Sequence, residues 1–89
     1  MNEEQNELFT FPCHFPIKIV GEHGNDLDKF VMEILEEHVQ NPKTIKLTTK
    51  DSSKGTYISV SASFEAHSKS QLDDIYQKIT ANKKVKFAL

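Results

Sequence analysis

GTYISVSASFEA, residues 55–66, is the stretch that decides the fold of this chain. Its even positions from Ile58 to Ala66 are apolar, and Tyr57, three serines and Glu65 alternate with them. Alternation with a period of two is typical of a β-strand that buries one face and hydrates the other. Because the stretch exceeds the usual strand length of about 5–6 residues, we expect it to lie inside a sheet, paired along much of its length.

Three further segments have the pattern of strands. They are FPCHFPIKIVG (residues 11–21), TIKLTTK (residues 44–50) and KVKFAL (residues 84–89). The turn DSSKG joins the second of them to the long strand, with Gly55 free to take positive φ. Alternation turns Phe15, Ile17, Ile19, Ile45, Leu47, Val85, Phe87 and Leu89 toward the core, and Thr44, Lys46, Thr48 and Lys50 outward.

Two segments have helical spacing instead. The first begins near Asn25 or Asp26, either of which can cap exposed N–H groups, and it ends before Pro42. The second begins after His67 and has two candidate capping pairs, Ser68 with Gln71 and Ser70 with Asp73. Their apolar stripes are Leu27, Phe30, Val31, Ile34, Leu35 and His38 in the first, and Leu72, Ile75, Tyr76 and Ile79 in the second.

The resulting order is β-α-β-β-α-β. With one short hairpin and two right-handed crossovers, this order predicts a ferredoxin-like α+β sandwich, in which two helices cover one face of a four-stranded antiparallel sheet. The first and third strands are central in that fold, which suits the length of residues 55–66. Residues 11–89 are expected to form this single domain, and residues 1–10 a flexible acidic tail.

All eleven basic residues are lysines, and the net charge is −2. Arginine supplies a planar fork that holds carboxylates, phosphates and guanine edges with two hydrogen bonds, whereas lysine supplies one flexible charge. Mechanisms that need such a fork are therefore disfavoured. They include the small hydrolases of the same fold that hold an acyl phosphate with an arginine beside a glycine-rich loop.

The sequence favours a cytoplasmic location. MNEEQNELF, residues 1–9, has three acids and no basic residue, unlike a signal peptide. No segment approaches the roughly 20 apolar residues of a membrane span. The single Cys13 has no internal disulfide partner, which agrees with a reducing compartment. We expect a monomer or a weak homodimer without a membrane segment.

Several motifs together resemble a known family. They are FPxxFPIKIVG (residues 11–21), SSKGTYISVS (residues 52–61), a helix with Gln71 and Tyr76, and a terminal VKFAL. This combination resembles the YbeD-like family of small bacterial proteins of unknown function. The resemblance implies a ferredoxin-like fold similar in shape to regulatory domains that bind amino acids. The loop GEHGND departs from the ligand loop of those domains, since no proline precedes its glycine, and the family supplies no catalytic residue.

The candidate binding surface is the face of the sheet opposite the helices, called the open face below. Parity places five lysines there against one acid, whereas the first helix has five acids and one lysine. The leading hypothesis is a non-catalytic regulatory or binding module that takes an acidic protein or a small anionic ligand on this face or at an edge strand. Its candidate binding residues are Lys18, Lys46, Lys50, Tyr57, Ser59, Lys84 and Lys86. A second interpretation stays open, in which these lysines keep an exposed sheet soluble and its edges unpaired.

RNA binding is the alternative from another functional class, because RNA-recognition domains share this fold. KGTYISVS, residues 54–61, faintly resembles their third-strand signature, which places two aromatic rings on the open face. Here Thr56 and Ile58 occupy those positions, on the side that parity assigns to the core. Tyr57 is then the only ring expected for stacking, and nucleic-acid binding is disfavoured.

Cys13, His14, His38 and His67 are expected at one end of the sheet. Parity assigns His14 and His67 to the open face and the other two to the helix side, so one tetrahedral zinc site would have to straddle the sheet. Cys13 and His14 point apart and cannot act as nucleophile and base. We therefore expect no metal, no cofactor and no enzyme activity. A further hypothesis is that His14 and His67 are cross-strand neighbours that repel when protonated.

Overall fold

Residues 10–24, 26–52 and 54–89 are described by the structure, a computed structural model of the chain. Their strands are β1 (Cys13–Glu22), β2 (Lys46–Asp51), β3 (Tyr57–Ala66) and β4 (Val85–Ala88). Their helices are α1 (Leu27–His38) and α2 (Lys69–Thr80), with a short 3-10 turn at Pro42–Thr44. Residues 1–9 of the predicted tail lie outside the described residues.

The described strands form one antiparallel sheet in the order β2-β3-β1-β4. β1 and β3 are its central strands and pair over ten positions, from Cys13 opposite Ala66 to Glu22 opposite Tyr57. Both helices cover the same face of this sheet. The predicted ferredoxin-like fold and the central place of the long strand are therefore confirmed.

The core lies between the sheet and the helices. Phe64 of β3 is its largest fully buried side chain, and its ring lies 6.3 Å from that of Phe15 on β1, in a tilted arrangement. Such a pair contributes about 0.5–1.5 kcal/mol beyond the burial of its area. The other buried side chains are Ile17, Ile19, Val60, Ala62 and Ala66 of the strands, and Leu27, Val31, Ile34, Leu35, Val39, Leu72, Ile75 and Ile79 of the helix layer.

The start of α2 agrees with the first of the two predicted capping pairs. Ser68 is the N-cap, and its hydroxyl accepts a hydrogen bond from the backbone N–H of Gln71 at 3.1 Å. The side chain of Gln71 accepts from the N–H of His67 at 2.6 Å and donates to the carbonyl of His38 at 2.7 Å. Gln71 therefore ties the start of α2 to the end of α1.

The start of α1 differs from the prediction. Asp26 occupies the N-cap position, but its backbone is left-handed, with φ 52°, and its side chain makes no capping hydrogen bond. A capping side chain needs the extended backbone that places its oxygen over the first N–H groups. The predicted Asp26 cap is therefore wrong, and the alternative, Asn25, lies outside the described residues.

The pattern of TIKLTTK predicts Thr44 in a strand, but in the structure the strand begins only at Lys46. Thr44 belongs to the 3-10 turn that precedes β2, where its hydroxyl donates to the carbonyl of Asn41 at 2.7 Å. The same hydroxyl accepts from the backbone N–H of Glu65 at 3.1 Å. Thr44 thus continues the contact with β3 through its side chain, at the level where β2 has not yet begun.

An irregularity in β4 reverses part of the predicted inward pattern. Gly21 of β1 pairs with Val85, but the next residue, Val20, pairs with Phe87, so Lys86 is an extra residue in β4. Such a β-bulge shifts the side-chain alternation by one position. Val85 and Ala88 therefore pack against the core. The inward placement of Phe87 and Leu89 is wrong, since they are 49% and 70% exposed.

We expect Phe64→Ala to lower the free energy of unfolding by about 3–5 kcal/mol, because it leaves a cavity in place of a fully buried ring. Ser61→Ala, in the same strand but on the open face, should cost well under about 1 kcal/mol. Urea denaturation monitored by circular dichroism measures both values. Comparable losses from the two variants would contradict the register of β1 and β3.

Candidate functional site

The open face is formed by alternate residues of all four described strands. Because directly opposed residues point to the same side of a sheet, the register assigns its members. β1 contributes His14, Pro16, Lys18, Val20 and Glu22, β3 contributes Tyr57, Ser59, Ser61, Ser63 and Glu65, and β2 contributes Lys46, Thr48 and Lys50. Lys86, Phe87 and Leu89 complete it from β4 and the residue after it.

A shallow depression of about 450 Å³ lies on the open face, at the level of Pro16 to Lys18 of β1. Lys18 and Lys46 stand on its two sides, on strands that are separated by β3. Hydroxyl groups from β2 and β3 form part of its floor, and apolar side chains form its end; these residues are Thr48, Ser61, Ser63, Pro16 and Leu89. Two ammonium groups and several hydroxyl groups around one depression favour an anionic oxygen ligand such as a carboxylate.

Leu89 is held at this depression by backbone and side-chain hydrogen bonds. Its N–H donates to the carbonyl of Lys18 at 2.8 Å, and its carbonyl accepts from the N–H of Lys18 at 3.2 Å. The hydroxyl of Tyr76 on α2 donates to the same carbonyl of Leu89 at 2.9 Å. Burial raises the pKa of Tyr76 above its ordinary value of 10.0, so the phenol keeps its proton as a donor.

A second depression, of about 350 Å³, lies at the hairpin end of the open face. Lys50, Tyr57, Ser59 and Val20 are among the residues that line it. The hydroxyl of Ser59 donates to the carbonyl of Lys50 at 3.3 Å. The ammonium nitrogen of Lys86 lies 5.8 Å from the centroid of the Tyr57 ring, within the range of a cation–π contact.

Six of the seven candidate residues therefore lie on the open face, in two groups: Lys18 and Lys46 in one, and Lys50, Tyr57, Ser59 and Lys86 in the other. Lys84 does not join them. It precedes β4 and lines a different depression together with Asp26, Lys29, Phe30 and Glu33. Lys84 lies in the turn that precedes β4, so the alternation of a strand does not place it beside Lys86.

Two apolar residues of the open face, Phe87 and Leu89, were not predicted there from the sequence. Among the described residues the exposed large hydrophobic side chains are Tyr57, Phe87 and Leu89, at 39%, 49% and 70% exposure, and all three belong to this face. A bulge in β4 brings two of them there. No glycine or proline in KVKFAL marks that bulge, so simple alternation misplaces them.

The two histidines of the open face are separated by a carboxylate. Glu65, not His67, lies opposite His14. Nε2 of His67 is 3.2 Å from Oε1 of Glu65, and Nε2 of His14 is 3.1 Å from the hydroxyl of Ser63. His67, two residues beyond Glu65, is therefore not directly opposite His14, and the hypothesis that the two histidines repel when protonated stays a prediction.

The other two potential ligands at this end lie on the helix side, as parity predicts. Nδ1 of His38 is 2.8 Å from the carbonyl of Ile34 on its own helix, and Cys13 is a half-buried free thiol beside the core. Within residues 10–24, 26–52 and 54–89, no group of three or more histidine, cysteine or acidic side chains has an arrangement that suits a metal ion.

Comparison with known proteins assigns the family. Residues 6–89 match the family described as "Protein of unknown function (DUF493)". This chain belongs to the DUF493 family. The match confirms the resemblance to YbeD-like bacterial proteins of unknown function that the sequence motifs indicate.

Relatives in the DUF493 family are similar over nearly the whole chain. A UPF0250 protein of Chromobacterium violaceum is 35% identical over 89 residues, covering 100% of both chains. A UPF0250 protein of Shewanella sediminis is 39% identical over 84 residues, covering 94% of this chain and 93% of the relative. The solution structure of protein HP0495 from H. pylori superimposes with a TM-score of 0.77 at 25% identity, covering 100% of this chain and 94% of that chain. The names of these DUF493 relatives state no activity.

Neither described helix of this chain is long and apolar enough to cross a membrane.

Tyr76→Phe tests the attachment of Leu89. At neutral pH we expect it to lower the free energy of unfolding by about 0.5–1 kcal/mol through the lost hydrogen bond. Because the pKa of Tyr76 is raised in the folded state, folding retains a proton that the unfolded chain releases, so this contribution is present below about pH 10 and is lost as the pH rises further.

The measurement is urea denaturation of both proteins at pH 7 and above pH 10. The stability of the unsubstituted protein should fall more steeply, so the difference between the two proteins should shrink at the higher pH. A difference that is the same at both pH values would contradict the role of the half-buried Tyr76 phenol.

Proposed function

We propose that this DUF493 protein is a non-catalytic binding module that takes an acidic segment of a partner protein on its open face. The observation that carries the proposal is the depression flanked by Lys18 and Lys46, with hydroxyl groups on its floor and Leu89 at its end. An acidic side chain can pair with the lysines there while an apolar neighbour packs on Leu89. Cytoplasmic location, and a monomer or weak homodimer, belong to the same proposal.

Charge separation between the two faces of the molecule supports an acidic partner. The open face has four lysines against Glu22 and Glu65, and Glu65 already contacts His67. The acids Asp26, Asp28, Glu33, Glu36 and Glu37 belong to α1 or its N-cap, on the opposite side. An approaching acidic segment is therefore attracted to one face and repelled by the other, and the attraction weakens as salt screens it.

The shape of the open face favours a protein segment over a small anion. Both depressions are shallow and open to solvent, whereas sites for small molecules usually enclose most of the ligand surface. Lysines also hold a small anion without the fixed geometry of an arginine fork. The exposed rings of Tyr57 and Phe87 add apolar area that a peptide can cover and a simple anion cannot. A small anionic ligand is accordingly the weaker form of this proposal.

A non-catalytic role agrees with the surroundings of Ser63 and His14. Their contact at 3.1 Å is the one nucleophile–base geometry that we find in the described open face. Ser63 lies within a central strand, between Pro16 of β1 and Lys46 of β2. The N–H groups of such a strand are used by the sheet, so no pair of them is free to stabilise an oxyanion.

RNA binding stays as a second candidate because of Phe87. The sequence predicts one exposed ring, Tyr57, but the bulge places Phe87 on the same face and brings Lys86 over the Tyr57 ring. Two rings beside lysines are the elements of a surface on which single-stranded bases stack. Thr56 precedes β3 and is exposed, in contrast to its predicted burial, and Ile58 points to the core side as predicted.

The main test combines Lys18→Glu, Lys46→Glu and Lys86→Glu in one protein. Its matched control, Lys29→Glu, Lys69→Glu and Lys78→Glu, makes the same change in net charge on the two helices. The probe is a fluorescent peptide of alternating glutamate and leucine, with a glutamine and leucine peptide for comparison, and binding is measured by fluorescence anisotropy. We expect the open-face variant to lose at least about 100-fold in affinity, since three opposed charges each contribute about 1 kcal/mol or more when reversed.

Equal losses in both triple variants, or equal binding of the two peptides, would contradict the proposal. Amide NMR spectra establish that each variant is folded. A native partner captured by the unsubstituted protein should likewise be retained by the helix variant and lost by the open-face variant.

RNA binding makes a different prediction. Retention of single-stranded RNA should fall with salt, and Tyr57→Ala combined with Phe87→Ala should weaken it at least about tenfold, because base stacking contributes about 1–3 kcal/mol per base. The control is Ser70→Ala combined with Gln77→Ala, which truncates two exposed side chains of α2. Retention that is unchanged by removal of both rings would exclude stacking on this face.

A further inference from the structure

We propose that residues 1–9 of the same chain dock on the open face. Their sequence, MNEEQNELF, combines three glutamates with Met1, Leu8 and Phe9 and has no basic residue. This is the chemistry that the open face favours in a partner, namely acids for its lysines and apolar side chains for its exposed rings. The chain thus contains a candidate ligand for its own binding surface.

Charge favours the open face over α1 as the docking surface. Glu3, Glu4 and Glu7 are repelled by α1, because the exposed side of that helix has Glu33, Glu36 and Glu37. On the open face they meet Lys18 and Lys46 first and then Lys50 and Lys86. Of the acids there, Glu65 contacts His67. The electrostatic free energy of the segment is therefore lower on the open face than on the helix face.

The length of the segment matches the position of the lysines. Thr10 is exposed and Phe11 packs against the core, immediately before β1, which is a central strand of the open face. Nine residues span at most about 30 Å when extended. Lys46 is level with Pro16, Lys18 is about 13 Å beyond His14, and Lys50 and Lys86 are level with Val20, about 20 Å beyond His14. Counted from Thr10, four residues before His14, the lysines nearest to the segment are Lys46 and Lys18.

Because residues 1–9 are covalently attached to β1, weak contacts are sufficient for them to dock on the open face. Each exposed lysine–glutamate pair contributes little by itself. A covalently linked segment, however, is present at an effective concentration of the order of millimolar, without any need for a second molecule. A partner with more acids or larger apolar residues can displace it. Residues 1–9 would then raise the partner concentration needed to occupy the open face. This regulation rests on the proposed function, whereas the docking itself does not.

Paramagnetic relaxation measures the docking in the full chain. A nitroxide is attached at Gln5→Cys in a Cys13→Ser background, so that a single thiol is labelled. The amide signals of Lys18, Thr48 and Ser61 on the open face should lose most of their intensity. Those of Met32, Glu33 and Ile75, in the middle of the two helices, should lose little, and added salt should restore the open-face signals.

Two substituted proteins show whether charge directs the docking. Glu3→Gln, Glu4→Gln and Glu7→Gln in the labelled protein should abolish the effect. Glu33→Gln, Glu36→Gln and Glu37→Gln, with the same change in net charge on α1, should leave it intact. Equal broadening on both faces, broadening confined to the neighbours of Thr10, or no response to the first set of substitutions would overturn the proposal.

A mixed sample distinguishes one chain from two. Isotope-labelled protein without nitroxide is combined with unlabelled protein that has the nitroxide. Broadening of Lys18, Thr48 and Ser61 in this mixture would show that the segment binds a second copy, which would overturn docking within one chain. Disappearance of the effect in the mixture supports it.

Peptide affinity then separates this inference from the proposed function. Neutralising Glu3, Glu4 and Glu7 should raise the affinity for the glutamate and leucine peptide about threefold, because more of the open face is then accessible. The α1 variant should show no change. Relaxation on the open face without peptide binding by either protein would reject the proposed function and keep the docking. Peptide binding without relaxation on the open face would reject the docking and keep the proposed function. Docking with an unchanged peptide affinity would reject competition between residues 1–9 and the peptide.

Discussion

The antiparallel pairing of β1 with β3 is the constraint on which the rest of this structure depends. Ten opposed pairs run from one end of the sheet to the other, and each pair sends its side chains to a single face. One face therefore receives Ile17, Ile19, Val60 and Phe64 and is covered by the helices. The other receives lysine, serine and tyrosine. A slip of one residue would exchange the two faces, so the core and the candidate binding surface depend on the same register.

The edge strands adapt the open face without altering that register. At β2, Thr44 leaves the strand pattern but keeps a hydrogen bond to β3 through its hydroxyl. At β4, the bulge at Lys86 is accompanied by a close approach between Gly21 and the chain before Val85. A Cβ atom on Gly21 would lie 2.6 Å from the carbonyl oxygen of Lys84, so only glycine fits there. Phe87 and Leu89 reach the open face because of this arrangement.

A surface with lysines, hydroxyl groups and exposed rings has different chemistry from a lysine-rich surface alone. Lysines attract an acidic chain over several ångströms but select weakly among anions. Apolar side chains such as Leu89 contribute burial when a partner covers them, and they discriminate against partners that are only charged. This combination is the reason for proposing an acidic segment with apolar residues as the ligand of the open face. Residues 1–9 of this chain have that composition, and so would a competing partner.

Local periodicity predicted most of the fold. The alternation of residues 55–66, the helical stripes and the Ser68 cap depend on neighbours close in sequence, so they can be inferred before any tertiary contact is known. The placement of six of the seven candidate binding residues on the open face follows from the same alternation. The exposure of Phe87 and Leu89 depends instead on how β4 fits beside Gly21, and the position of Lys84 depends on the turn before β4. The left-handed backbone of Asp26 did not follow from the sequence either. By itself, the sequence determined which residues form the core of β1 and β3. Only the tertiary structure decided the apolar part of the open face, because the bulge arises from a contact between segments more than sixty residues apart.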